Sequence, residues 1–125
     1  MNNRLILALA WTILLLIGLL TPGSSIPDVP KPPGIDKLVH LGLFMVLAFL
    51  WSRVFNDRTD KKIKKSKYIP NFLVVIVVFA ILVEYIQRLV PGRSFDYWDI
   101  LFNILGVTIG AVLFYYLHKH KSKLV

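Results

Sequence analysis

Phe72–Val90 reads FLVVIVVFAILVEYIQRLV, Pro91–Asp96 reads PGRSFD, and Tyr97–Leu117 reads YWDILFNILGVTIGAVLFYYL. Two long apolar runs are thus joined by a short polar turn. Each run approaches the ~20 residues that a helix rising ~1.5 Å per residue needs to cross ~30 Å of hydrocarbon. Lipid offers no partners to backbone N–H and C=O groups, so a helix, which satisfies them internally, is the expected conformation. The β-branched stretch Val74–Val78 would favour a strand in water, but lipid overrides that preference. Two further runs lie upstream, Leu5–Leu20 behind Arg4, and Leu38–Val54. The expectation is an all-α fold, a polytopic membrane protein built as a four-helix transmembrane bundle. Residues 1–125 form one domain, with helices over about 4–21, 37–54, 70–90 and 97–117 and a basic cytoplasmic loop over about 55–69.

Composition agrees. Of 125 residues, 56% are hydrophobic, and mean hydropathy is +0.65. A soluble domain this small cannot hide so much apolar surface in one core. The net charge of +8 sits in short blocks between apolar runs rather than over a folded face. The lysines of residues 61–67 have no stacking aromatics or recognition motif beside them, so nucleic acid is not an expected partner. Their simplest role is to set topology on anionic lipid. The chain has no cysteine, which excludes disulfides, thiol catalysis and zinc–thiolate sites.

Basic residues orient the chain. Arg4, the second loop from Arg53 to Lys67, and Lys119, Lys121 and Lys123 hold 11 of the 15. Only Lys31, Lys37, Arg88 and Arg93 fall on the other side. The N-terminus, second loop and C-terminus are therefore expected in the cytoplasm. Trp51, Tyr97, Trp98, Tyr115 and Tyr116 fall near the expected interfaces. The first run has a rival reading as a secretory signal, with Arg4 as its basic region and Gly23, Ser24 and Ser25 flanking a cleavage site. Its apolar stretch exceeds the ~7–15 residues typical of such signals, which favours a retained helix. Five of the seven prolines lie between Thr21 and Gly34, where an extended, stiff outer loop is expected.

Polar residues at membrane depth gather at one level. Asp36, Lys37 and His40 lie at the outer end of the second run, and Glu84, Gln87 and Arg88 at that of the third. Arg93, Ser94 and Asp96 occupy the turn, and Asp99 and Asn103 open the fourth. Asp36 and His40 are spaced i,i+4 and share a helix face, as Glu84 does with Gln87 and Arg88. Asp99, Asn103, Gly106 and Gly110 continue one stripe, and the two glycines make a Gly-x-x-x-Gly packing pattern. Charged groups at this depth are costly unless they pair, so the layer is either structural glue or a site. As a site, it would be an outward pocket lined by Asp36, His40, Glu84, Gln87, Arg93, Asp96, Asp99 and Asn103. Arg93 would contact an anion through its guanidinium fork, brought back toward the helix ends by the Pro91–Gly92 turn.

Catalysis is a weaker reading than binding. His40 with Glu84 or Asp99 could run general acid–base chemistry, and one histidine with carboxylates could ligate a divalent metal. No metalloprotease or serine-hydrolase motif is present, so no metal or cofactor is assigned.

These residues resemble a known family. Ile35-Asp36-Lys37-Leu38-Val39-His40, followed by Phe44, resembles the first motif of VanZ-like membrane proteins. Glu84-Tyr85-Ile86-Gln87, Pro91-Gly92-Arg93-Ser94-Phe95-Asp96, Asp99-Ile100-Leu101-Phe102-Asn103, Gly106 and Gly110 resemble the second. The family is bacterial and takes its name from a protein linked to resistance to the glycopeptide teicoplanin. The resemblance implies a cell-membrane protein of the bacterial envelope and supplies no reaction. Three hypotheses follow. The favoured one is a non-enzymatic protein binding a membrane lipid, an anionic headgroup or a cell-wall precursor in the outer pocket. The others are a lipid-modifying or metal-dependent enzyme, and a scaffold subunit or homo-oligomer packing through Gly106 and Gly110.

Overall fold

The computed structural model describes residues 3–27, 30, 32–56, 70, 72–121, 123 and 125. It is helical, with no strand among the described residues. Four α-helices appear in order: α1 (Asn3–Leu20), α2 (Ile35–Phe55), α3 (Val78–Gln87) and α4 (Tyr97–Lys119). A 3-10 turn, Gly23–Ser25, follows α1, and a π-helical segment, Phe72–Val77, leads into α3. α1, α2 and α4 are each long and apolar enough to cross a membrane. The lysine-rich residues 57–69 of the expected basic loop lie outside the described residues.

The third run differs from the single helix expected over 70–90. Five consecutive β-branched residues, Val74–Val78, crowd the α-helical turn and lower its propensity, and the π turns fall in and beside them. The α-helix ends at Gln87, ahead of Pro91, which disfavours helix in the residue before it. Arg93 N–H donates to the Val90 carbonyl at 3.1 Å, closing a turn with Pro91 and Gly92 at its centre. Gly92 has φ +73°, the left-handed conformation a type II turn requires there. Asp96 then caps α4 by accepting the Trp98 N–H at 2.8 Å.

The helices alternate in direction. Arg4 at the start of α1 donates to the Arg53 carbonyl at the end of α2 (3.2 Å), while Gln87 at the end of α3 donates to Leu19 at the end of α1 (3.0 Å). α1 and α3 therefore run parallel to each other, and α2 and α4 run parallel in the opposite sense. α2 and α4 form the most extensive pairing. A methyl group added at Gly106 would overlap the Leu41 carbonyl, and one at Gly110 the Met45 carbonyl. Phe49 meets Phe114 edge-on one turn further, with ring centroids 6.2 Å apart. Trp11 ties α1 to α2 through the Leu43 carbonyl at 3.0 Å.

Leu15, Phe44, Leu47, Ile76, Val83 and Val107 form the centre of the buried apolar cluster. The outward surface is apolar as well: Ile13, Leu14, Ile17, Val74, Leu89 and Val112 are all more than half exposed.

Candidate functional site

At the end where α1 and α3 finish and α2 and α4 begin, polar side chains meet in the interior. His40, Glu84, Gln87, Asp99 and Asn103 are all buried, and Glu84 and Asn103 are fully so. Each comes from the inward stripe of its helix: Lys37, His40 and Phe44 on α2; Ala80, Val83, Glu84 and Gln87 on α3; Asp99, Asn103, Gly106 and Gly110 on α4. The close approach allowed by Gly106 and Gly110 holds α2 and α4 near enough for direct side-chain bonds.

His40 Nδ1 lies 2.9 Å from Asn103 Oδ1, while Asn103 Nδ2 donates to the Ala80 carbonyl at 3.4 Å. That second bond assigns Oδ1 as the acceptor. Nδ1 of His40 is then the protonated nitrogen, and a neutral ring keeps its lone pair on Nε2. Glu84 Oε1 accepts the Asp96 backbone N–H at 3.2 Å, while its Oε2 accepts no hydrogen bond. Gln87 gives its amide N–H to Leu19 and likewise leaves its buried Oε1 without a donor.

Lys37 closes the layer toward the turn. Its ammonium donates to Asp96 at 2.8 Å and Asp99 at 3.1 Å, and lies 3.6 Å from Asp36. The Lys37 ammonium, with help from the Trp98 N–H, holds the Asp96 carboxyl below its ordinary range. Sequence reasoning placed Lys37 at this level but left it out of the pocket lining. The signal was there: Lys37 stands three residues before His40 and seven before Phe44, the spacing of one buried stripe, while Leu38 and Val39 are exposed.

Other expected members are distributed differently. Asp36 shares a helix face with His40 by spacing, yet its side chain is 61% exposed and it sits at the rim. Arg88 is exposed. Arg93 is turned by Pro91–Gly92 onto a helix end, but the end is that of α1. Its Nε donates to the Thr21 carbonyl and its Nη2 to Gly18, both at 3.1 Å. The last carbonyls of a helix lack intrahelical donors and carry the negative end of the dipole, so a guanidinium is a fitting cap. The anion contact expected of Arg93 is not the contact it makes in the fold. With Arg93 engaged there, the layer contains, among the described residues, four acidic side chains, those of Asp36, Glu84, Asp96 and Asp99, against the ammonium of Lys37.

The chemistry available is acceptance. The hydroxyls of Thr12, Ser52 and Thr108 bond back to Ala8, Ala48 and Ile104 in their own helices, and Ser94 is exposed, so among the described residues none of these four is a buried nucleophile facing His40. His40, Glu84 and Asp99 each bring one metal-ligand-type atom within 4.8 Å of the other two.

Comparison with known proteins places the chain in context. A family model described as VanZ/LLP1 matches residues 5–118. An uncharacterized protein of Schizosaccharomyces pombe, C11E3.10, is 28% identical over 96 residues, covering 76% of this chain and 55% of that protein. The chain thus spans about half the length of this relative. No solved structure matches it.

Proposed function

The chain belongs to the VanZ/LLP1 family, and we propose that it is a non-enzymatic, four-crossing membrane protein whose buried polar layer binds a polar headgroup. The ligand class is an envelope lipid or a cell-wall precursor. The membrane is the bacterial plasma membrane, with both termini cytoplasmic and the layer facing outward. A contribution to glycopeptide resistance of the teicoplanin type would follow from holding such a ligand.

One observation carries the binding reading: side chains from three helices converge at one depth, and two of their buried acceptors, Glu84 Oε2 and Gln87 Oε1, have no donor. Glue that served only the fold would be expected to pair its own groups, because an unpaired buried acceptor costs about 1–3 kcal/mol. Headgroup hydroxyls or amines are donors of the required kind, and Lys37 at the rim supplies the cation for an acidic part.

The membrane reading is supported by the exposed apolar surface and by two exposed aromatic pairs on α4, Tyr97–Trp98 and Tyr115–Tyr116. At ~1.5 Å per residue these pairs stand roughly 27 Å apart, close to the ~30 Å between two interfaces.

Lipid mass spectrometry of gently purified protein tests the proposal. Wild type should retain a defined envelope lipid or precursor that Glu84→Ala and His40→Ala protein, shown to be inserted and monodisperse, both lose. Equal retention by all three would show that the layer is not the binding site.

A further inference from the structure

The unpaired Glu84 oxygen that supports the headgroup reading also belongs to a buried acid. Its carboxylate is fully buried, one oxygen is tied to the Asp96 N–H, and the other has no donor. Burying a carboxylate in this state is expensive unless an opposite charge reaches it or it takes up a proton. Lys37 does not: its ammonium bonds to Asp96 and Asp99 instead.

The side chains beside Glu84, those of His40 and Asp99, are donors to metals rather than to hydrogen-bond acceptors. His40 directs Nδ1–H at Asn103, which leaves the Nε2 lone pair as its remaining polar group. Asp99 is held through Oδ1 by Lys37. All three ligand residues are buried, and their ligand atoms lie within 4.8 Å of one another. Two atoms bound to one tetrahedral zinc ion at ~2.0–2.2 Å stand about 3.3–3.6 Å apart, so a pair at the 4.8 Å limit closes on an ion by drawing together about 1.2–1.5 Å, a movement shared between two side chains.

We infer that His40, Glu84 and Asp99 form a site for one divalent transition-metal ion of the zinc or manganese class, with Asn103 orienting the histidine from behind. The outer arrangement is the one metal sites use. The histidine's second nitrogen donates to a carbonyl oxygen, and each carboxylate is anchored by its own hydrogen bond. One imidazole with two carboxylates suits zinc, manganese or ferrous iron. Three protein ligands leave a coordination position for an oxygen from outside. The site stands on geometry alone; only its use, presenting a cation to a phosphate or carboxylate oxygen, rests on the headgroup reading. In that use the ion supplies the positive charge that the acidic layer lacks once Arg93 is engaged as a helix cap.

The test is metal binding by the full-length protein in detergent or nanodiscs after chelator treatment. Titration with Zn2+ by calorimetry, with elemental analysis after desalting, should give one equivalent per chain, resistant to an excess of Mg2+. Glu84→Gln should abolish it. Asn103→Ala, which leaves all three ligands in place, should weaken it by about 10–100-fold. Arg93→Ala, outside the triad, should bind as wild type. Variants are scored only when circular dichroism and gel filtration match wild type, and Asn103→Ala serves as the readout if Glu84→Gln fails to fold. No stoichiometric metal in wild type, or wild-type affinity in Glu84→Gln, overturns the site. A metal-free protein that still retains its lipid overturns this inference and leaves the headgroup reading standing. A metal-binding protein that retains none does the reverse.

Discussion

Arg93 shows how much a side chain's role depends on what the fold places in front of it. The guanidinium bonds to Gly18 and Thr21 carbonyls, and Gln87 adds the Leu19 carbonyl between them. Together they terminate α1. Arg93→Ala should therefore lower stability by about 1–2 kcal/mol, with the exposed bond discounted, and Arg93→Lys should recover part of it. Thermal unfolding in detergent measures both, and a stability unchanged by Arg93→Ala would remove the cap reading. The Pro91–Gly92 turn was legible as a device for turning Arg93 back. Which helix it would meet was not, because that depends on how α1, more than 70 residues away, docks against the turn. Lys37 is a different case. Its stripe spacing with His40 and Phe44 was readable, but its partners Asp96 and Asp99 lie 59 and 62 residues on. Lys37→Met should lower the unfolding temperature and Lys37→Arg should do so less, since Arg still offers donors to both carboxylates.

Among the helices, the pairing of α2 with α4 holds the layer together. Gly106 faces the Leu41 carbonyl and Gly110 the Met45 carbonyl, four residues further along both helices, so the register is constant. Gly110→Leu should separate the pair at a cost above the ~1–3 kcal/mol of ordinary overpacking, because the obstacle is backbone rather than a movable side chain. Gly42, on α2, has nothing within 4 Å of an added methyl group. Gly42→Ala should be tolerated or gain up to about 1 kcal/mol of helix propensity. Equal effects at the two positions, read as unfolding temperature, would mean that the close approach is not what the pairing needs. The Gly-x-x-x-Gly spacing showed that some helix would come near. Its identity as α2, parallel rather than the antiparallel neighbour across the turn, could not be read from one strand of sequence. The π-helical entry to α3 was hidden for a related reason: a valine run lowers α propensity without saying which irregular form replaces it.

For the molecule as a whole, the two ends are chemically unlike, and function follows from which end faces out. Apolar run lengths and basic residues made the alternation of helices legible, and the described fold repeats it: Arg4 meets Arg53 and Asn56 at one end, while Lys37, Gln87 and Arg93 close the other. The assignment of the outer end rests on the excess of lysine and arginine expected at the Arg4 end. The absence of cysteine makes a clean test possible. Ser25, in the turn after α1, and Lys119, closing α4, are both exposed and lie at opposite ends. In intact spheroplasts a membrane-impermeant maleimide should label Ser25→Cys protein at once, and Lys119→Cys protein only after permeabilisation. Labelling of both without permeabilisation would mean that the helices between them do not make an odd number of crossings. The inverted pattern would place His40, Glu84 and Asp99 at the cytoplasmic face. Their ligand would then have to come from the inner leaflet or the cytosol, and a role at the outer face of the envelope would be lost even if the site bound its metal.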